Sequence, residues 1–144
     1  MLRYSAQLEP DKERAGFVVT FPDFEWGVTQ GGTEAEALEM AVDALAMIIG
    51  DHIERGIPLP RPSTHRSRKF RPINLPALQT AKTELYDAFV ASGIRKTELT
   101  RRLGIAKANV DRLFDLGRQS RLNQIEAAFA AIGKRLLVHV EEAA

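Results

Sequence analysis

GIRKTELTRRLGIAKANVDRLFDL, residues 93–116, decides how the chain is read: two short helical patterns, TELTRRL (97–103) and KANVDRLF (107–114), meet at Gly104 amid many Lys and Arg. Two short helices that cross steeply need a tight turn, and a glycine there relieves the backbone. Helical spacing turns Leu99 and Leu103 inward from the first helix, Ile105 from the turn, and Val110 and Leu113 from the second. Lys107, Ala108, Asn109, Asp111 and Arg112 are left facing outward. A helix of this size fits the major groove of DNA, where Asn bonds an adenine edge twice and Arg or Lys a guanine edge twice. Thr97, Arg101, Arg118 and Arg121 flank it, placed to hold phosphates, which position a protein without reading sequence.

Charge divides the chain. Residues 1–60 hold 4 Lys or Arg against 11 Asp or Glu, a balance of −7, while residues 61–144 hold 16 against 8, a balance of +8. The formal net charge of +1 conceals that split, which suits two different partners, the basic half facing a polyanion. With 44% hydrophobic and 27% charged residues the chain reads as soluble and globular. It has no cysteine, so neither a disulfide framework nor a thiolate metal site is expected. His52, His65 and His139 lie in unlike contexts and suggest no metal site; no cofactor is expected. MLRYSAQLEP lacks the apolar run of a signal peptide and no stretch reaches a membrane span, so the expected location is the cytoplasm, with no membrane partner.

The acidic half opens with strand patterns. LRYSAQL (2–8) alternates with period two, FVVTF (17–21) is β-branched and aromatic, and WGVTQ (26–30) alternates again, giving an antiparallel meander with Gly16 free to take positive φ. Thr33 with Glu36 forms a capping box. Leu38, Val42, Leu45, Ile49 and Ile53 then recur at helical spacing until Gly56 and Pro58 stop the helix, whose stripe is expected to cover the meander. Residues 56–76 carry five of the seven prolines and the basic run RSRK (66–69), and mark a domain boundary. KFRPINL within it predicts one more strand, at an edge because Pro72 has no N–H.

Beyond the linker the pattern is helical. Leu78, Ala81, Leu85 and Phe89 share a face up to Gly93, and LNQIEAAFAAIG (122–133) repeats Leu122, Ile125, Phe129 and Ile132. RLLVHVE (135–141) alternates and predicts a closing strand without a partner in a helical domain. Pairing with the same strand of a second chain would satisfy its backbone and bury Leu136, Val138 and Val140, so a homodimer is expected; dimers also match palindromic operators.

TELTRRLGIAKANVDRL resembles the helix-turn-helix of the Xre/Cro repressors, with Leu99, Gly104, Ile105, Val110 and Leu113 in its core pattern; SRLNQIEAAFAAIGKRLLV resembles the segments that follow it. The chain departs from that family at Thr100, where a small residue is usual, and at Arg95, Ala106 and Lys107, where Ser or Gln often cap. GFVVTFPDFEWGVTQGGTEAEALEMAVDAL resembles the N-terminal domain of HicB antitoxins: a strand ending in Phe21-Pro22-Asp23, a third strand, Gly31-Gly32, then Thr33 and an Ala-rich acidic helix. IPLPRPS (57–63) matches as well; EWG at 25–27, where many members have Gly-Cys, departs.

The resemblance implies an α+β chain: a partial ribonuclease H-like βββα(β) domain over 1–76, including the linker 56–76, joined to a helix-turn-helix DNA-binding and dimerisation domain with a terminal strand over 77–144. It implies an antitoxin that masks a small basic HicA-like mRNA-cleaving toxin and represses its own operon at operator DNA. An acidic surface suits a partner that itself binds RNA. Asp23, Phe24, Glu25 and Trp26 form a loop with an aromatic anchor of the kind enriched at hot spots and are the expected toxin contacts; the alternative is that Phe24 and Trp26 are core residues at a strand end. Two rivals make different demands. A repressor with a ligand-sensing first domain needs an apolar pocket within residues 1–76. A nuclease needs carboxylates converging on metal, yet Glu9, Asp11, Asp23 and Glu25 all fall in loops or at strand ends, so no enzymatic activity is expected.

Overall fold

The computed structural model describes residues 1–143, which form a four-stranded antiparallel sheet with one helix before its last strand and four helices after it, a mixed α+β arrangement. In β1 (Ser5–Pro10) the predicted alternation holds, with Ala6 and Leu8 buried and Tyr4 buried just before it. Next come β2 (Phe17–Thr20) and β3 (Val28–Gly31), while the short strand β4 (Phe70–Pro72) pairs with the other side of β1, giving the order β3-β2-β1-β4. Pro72 therefore lies in an edge strand, as its missing N–H requires. The β1–β2 turn needs its glycine twice over: Gly16 has φ +114°, and a Cβ there would lie 2.3 Å from the Gly31 carbonyl oxygen.

Helix α1 (Glu34–Glu54) starts at Thr33, whose Oγ1 accepts the Glu36 N–H at 3.1 Å, and ends before Gly56 at φ +67°. Its deepest face is Ala37, Ala41, Leu45, Ile48 and Ile49, rotated from the expected stripe, of which Leu38, Val42 and Ile53 are only partly buried. The cause is a close approach. A Cβ on Gly31 would lie 2.3 Å from the Ala37 nitrogen, so the helix rests on β3 through its small residues.

The proline-rich stretch is bound to the fold along its length. Leu59 and Ile73 are buried, the Tyr4 hydroxyl donates to the Pro60 carbonyl at 2.7 Å, and the Asp23 carboxylate accepts the Ser63 N–H at 3.1 Å. Arg66, Ser67, Arg68 and Lys69 within it are exposed, the solvated character expected of RSRK. Helix α2 (Ala77–Ser92) then packs against both halves. On one side Glu84 accepts the Leu2 N–H at 2.5 Å, the Tyr86 hydroxyl donates to the Ile57 carbonyl at 2.8 Å, and Asp87 pairs with Arg61. A single apolar cluster runs from Tyr4 and Ile49 through Leu59, Leu85 and Tyr86 to Leu99 and Ile125.

Helices α3 (Lys96–Leu103), α4 (Lys107–Phe114) and α5 (Leu122–Ala131) complete the second half. Leu99, Val110 and Leu113 are buried as the spacing requires, and Leu103 partly. Ile105 is not: it is 38% exposed on the turn, and Phe114 and Leu116 are buried in the core instead. Leu122, expected on the inner face of α5, is exposed as well, while Ala128 is buried beside Ile125 and Phe129. The closing strand predicted over 135–141 does not form within the chain: these residues have no ladder partner. Both sheet edges belong to the other half, so no strand stands beside the segment to take its hydrogen bonds.

Candidate functional site

Two eight-residue helices, α3 and α4, meet at Gly104, whose φ of +64° turns the chain. Neither has a side-chain N-cap bond, as Arg95 and Ala106 at those positions imply. Lys107, Ala108, Asn109, Asp111 and Arg112 are all exposed on α4, and Thr97, Arg101, Arg118 and Arg121 are exposed as well. Every residue expected to meet DNA is thus open to solvent.

Ion pairs sort these residues further. Asp111, which would repel phosphate, is paired with Lys96 at 2.9 Å. Arg101 is committed to Glu98 through two bonds, at 2.9 and 2.5 Å, and Arg102 bonds the same carboxylate at 3.0 Å and the Ala131 carbonyl at 2.8 Å. These guanidiniums hold the Glu98 carboxyl down at about 2. Arg118 lies 3.8 Å from Asp115. Of the cations expected to meet DNA, Lys107, Arg112 and Arg121 form no ion pair among the described residues and are the most available to an anionic partner.

Sequence reasoning missed Lys82. Its side chain lies on the buried face of α2 with no exposure at all. Its ammonium donates to the carbonyls of Arg112 at 2.7 Å, Asp115 at 2.8 Å and Arg118 at 2.7 Å. Burial pushes its pKa below the ordinary lysine value, with nearby Asp115 opposing the shift. A lysine among apolar helical positions carries no local sign of burial, because most such lysines are solvated.

The acidic loop departs from expectation at its centre. Phe24 is buried, its ring 4.8 Å from Tyr4 and 5.3 Å from His52, so it is a core residue and not an exposed anchor. Its N–H donates to the Phe21 carbonyl, a turn that folds the ring inward. Asp23 is half-buried and holds the linker through Ser63. Glu25 is exposed and Trp26 is 45% exposed, next to exposed Val28 on the open edge of β3. Gly27 (φ +115°) fixes the loop on α1, since a Cβ there would lie 2.3 Å from the Ile48 Cδ1. Met40 and Met47 are exposed on α1 among Glu36, Glu39 and Asp43.

The described residues contain no group of three or more His, Cys, Asp or Glu arranged to hold a metal ion. An apolar cavity of about 570 Å³ lies between α2 and the C-terminal segment, lined by Leu78, Leu122, Leu136 and Val138 among others. Leu136 is partly buried there, whereas Val138 and Val140 are exposed. No described helix is long and apolar enough to cross a membrane.

Residues 3–84 match the family described as "HicB_like antitoxin of bacterial toxin-antitoxin system". The chain belongs to the HicB-like antitoxin family. Antitoxin HicB 1 of Photorhabdus laumondii subsp. laumondii is 35% identical over 142 residues, 97% of this chain and 88% of the relative. Antitoxin HicB of Escherichia coli (strain K12) is 36% identical over 135 residues, 94% of this chain and 96% of the relative. Among solved structures, a chain of a toxin–antitoxin complex from Streptococcus pneumoniae is 38% identical over 44% of this chain and 45% of its own, with a TM-score of 0.40. Both HicB relatives match the basic half as well as the sheet, so the similarity runs nearly from end to end.

Proposed function

We propose that this antitoxin works through two opposed surfaces. The first half, a partial ribonuclease H-like βββα(β) unit, binds and masks a HicA-like mRNA-cleaving toxin. The second, a helix-turn-helix unit, binds operator DNA as a dimer and represses its own operon in the cytoplasm. Each role is one of binding rather than catalysis. The observation that carries the reading is the outward row Lys107, Ala108, Asn109 and Arg112 on α4: it is exposed, and its one acid is neutralised by Lys96. In this reading α4 is the recognition helix, Asn109 and Arg112 reach base edges, and Arg118 and Arg121 grip phosphates.

The toxin surface is assigned to Glu25 and Trp26, with Asp23 holding the loop in place. Acidic residues around a partly exposed aromatic suit a basic RNA-binding partner and speed its association. For the dimer, Val138 and Val140 supply exposed apolar surface, and the unpaired backbone of residues 135–141 supplies the pairing groups. Titrating the full chain into a labelled fragment of its own promoter tests the operator half, with Arg112→Ala expected to abolish preference over random duplex while toxin capture persists. Capture of the short basic protein encoded beside it tests the toxin half. No promoter preference in the native chain would refute operator repression.

A further inference from the structure

Lys82 is the one charged side chain in the described core, and the proposed machinery gives it no task. Sequestering an ammonium from water is costly unless each of its donors is matched. Here all three are, by the carbonyls of Arg112, Asp115 and Arg118. These belong to the last turn of α4, where the helix dipole is negative, and to the bend after it; the Arg112 and Asp115 carbonyls also accept the Asp115 and Arg118 N–H. Gln79, one turn earlier on α2, donates to the Leu116 carbonyl between them at 3.4 Å. The bend is also held from within: the Asp115 carboxylate accepts the Gly117 N–H at 2.9 Å.

Helix α4 has only eight residues and no N-terminal side-chain cap, so alone it would be marginal. Beside the packing of Val110, Leu113 and Phe114, the bonds from Lys82 and Gln79 hold it at its C-terminal end. We propose that Lys82 is a positioning residue for operator binding: by tying the end of α4 and the bend to α2, it sets Arg112 and Arg118 in one fixed relation, so that both engage the duplex together. A methionine of similar length would fill the space and supply none of the three bonds. An arginine would bring a flat fork to a pyramidal arrangement of acceptors.

The inference rests on the operator reading, and the experiment separates the two. Native chain, Lys82→Met, Lys82→Arg, Arg118→Ala and Lys82→Met/Arg118→Ala are titrated by fluorescence anisotropy against the promoter fragment across a salt series. Lys82→Met is expected to bind roughly ten-fold more weakly, with a salt slope shallower by about one phosphate contact. Arg118→Ala is expected to cost less in the Lys82→Met background than in the native chain. Native affinity and slope in Lys82→Met, or full additivity of the pair, overturns the assignment. Should Lys82→Met not fold, Lys82→Arg carries the same comparison, and hydrogen exchange on the native chain decides the anchoring. The amides of Asp115 and Arg118, bonded to the Arg112 and Asp115 carbonyls, are then expected to exchange as slowly as the core of α2. Exchange at loop rates overturns it. A native chain without promoter preference sinks the operator reading itself.

Discussion

Phe24 and Trp26 lie two positions apart in one loop, yet one ring is buried against Tyr4 and His52 while the other meets solvent. Their truncations should separate. Phe24→Ala is expected to destabilise the chain by about 3–5 kcal/mol in denaturant unfolding. Trp26→Ala should leave the unfolding midpoint nearly unchanged and weaken toxin capture about ten-fold or more in a binding titration. The loop sequence could not make this distinction, because a stretch with no regular period assigns no side to its residues. Glu98 offers a second test. Its depressed carboxyl means that its bonds from Arg101 and Arg102 contribute above the ordinary carboxylate range and are lost as pH falls toward 2. The near-ultraviolet signal of Glu98→Gln is therefore expected to be less acid-sensitive over that window than that of the native chain. At neutral pH the same change frees Arg101, and the DNA salt slope should steepen by about one phosphate contact.

The strands and helices were legible wherever their cues are local. Thr33 and Glu36 mark the start of α1, Gly56 its end, and the two-residue period of β1 its buried side. What could not be read was how closely elements approach. The turned face of α1 follows from Gly31, whose missing side chain admits Ala37, and that contact joins residues on different elements. Gly31→Ala is accordingly expected to unfold the chain or lower its melting temperature by many degrees, while Gly50→Ala, with open space around it, should leave the melting temperature native or raise it slightly. The α3–α4 pair was legible because its apolar spacing and Gly104 lie within one short stretch. Lys82 was not, because its acceptors are 30 to 36 residues away. The alternation of RLLVHVE is real, but a strand requires a neighbour, and the chain by itself supplies none.

A bound linker and a shared apolar cluster join the acidic and basic halves more closely than their compositions suggest. The full chain is expected to melt in one calorimetric transition; two well-separated transitions would show that the halves fold independently. Sedimentation of the native chain is expected to give a dimer at micromolar concentration, and deletion of residues 135–144 a monomer. Arg3 and Glu141 approach to 3.9 Å, and Met1 lines the same cavity as Leu136 and Val138. The beginning and the end of the described chain thus emerge side by side. A purification tag fused at either terminus would crowd the surface assigned to self-association, so a handle inserted among Lys12, Glu13 and Arg14, exposed on the far hairpin, is the better choice for measuring assembly.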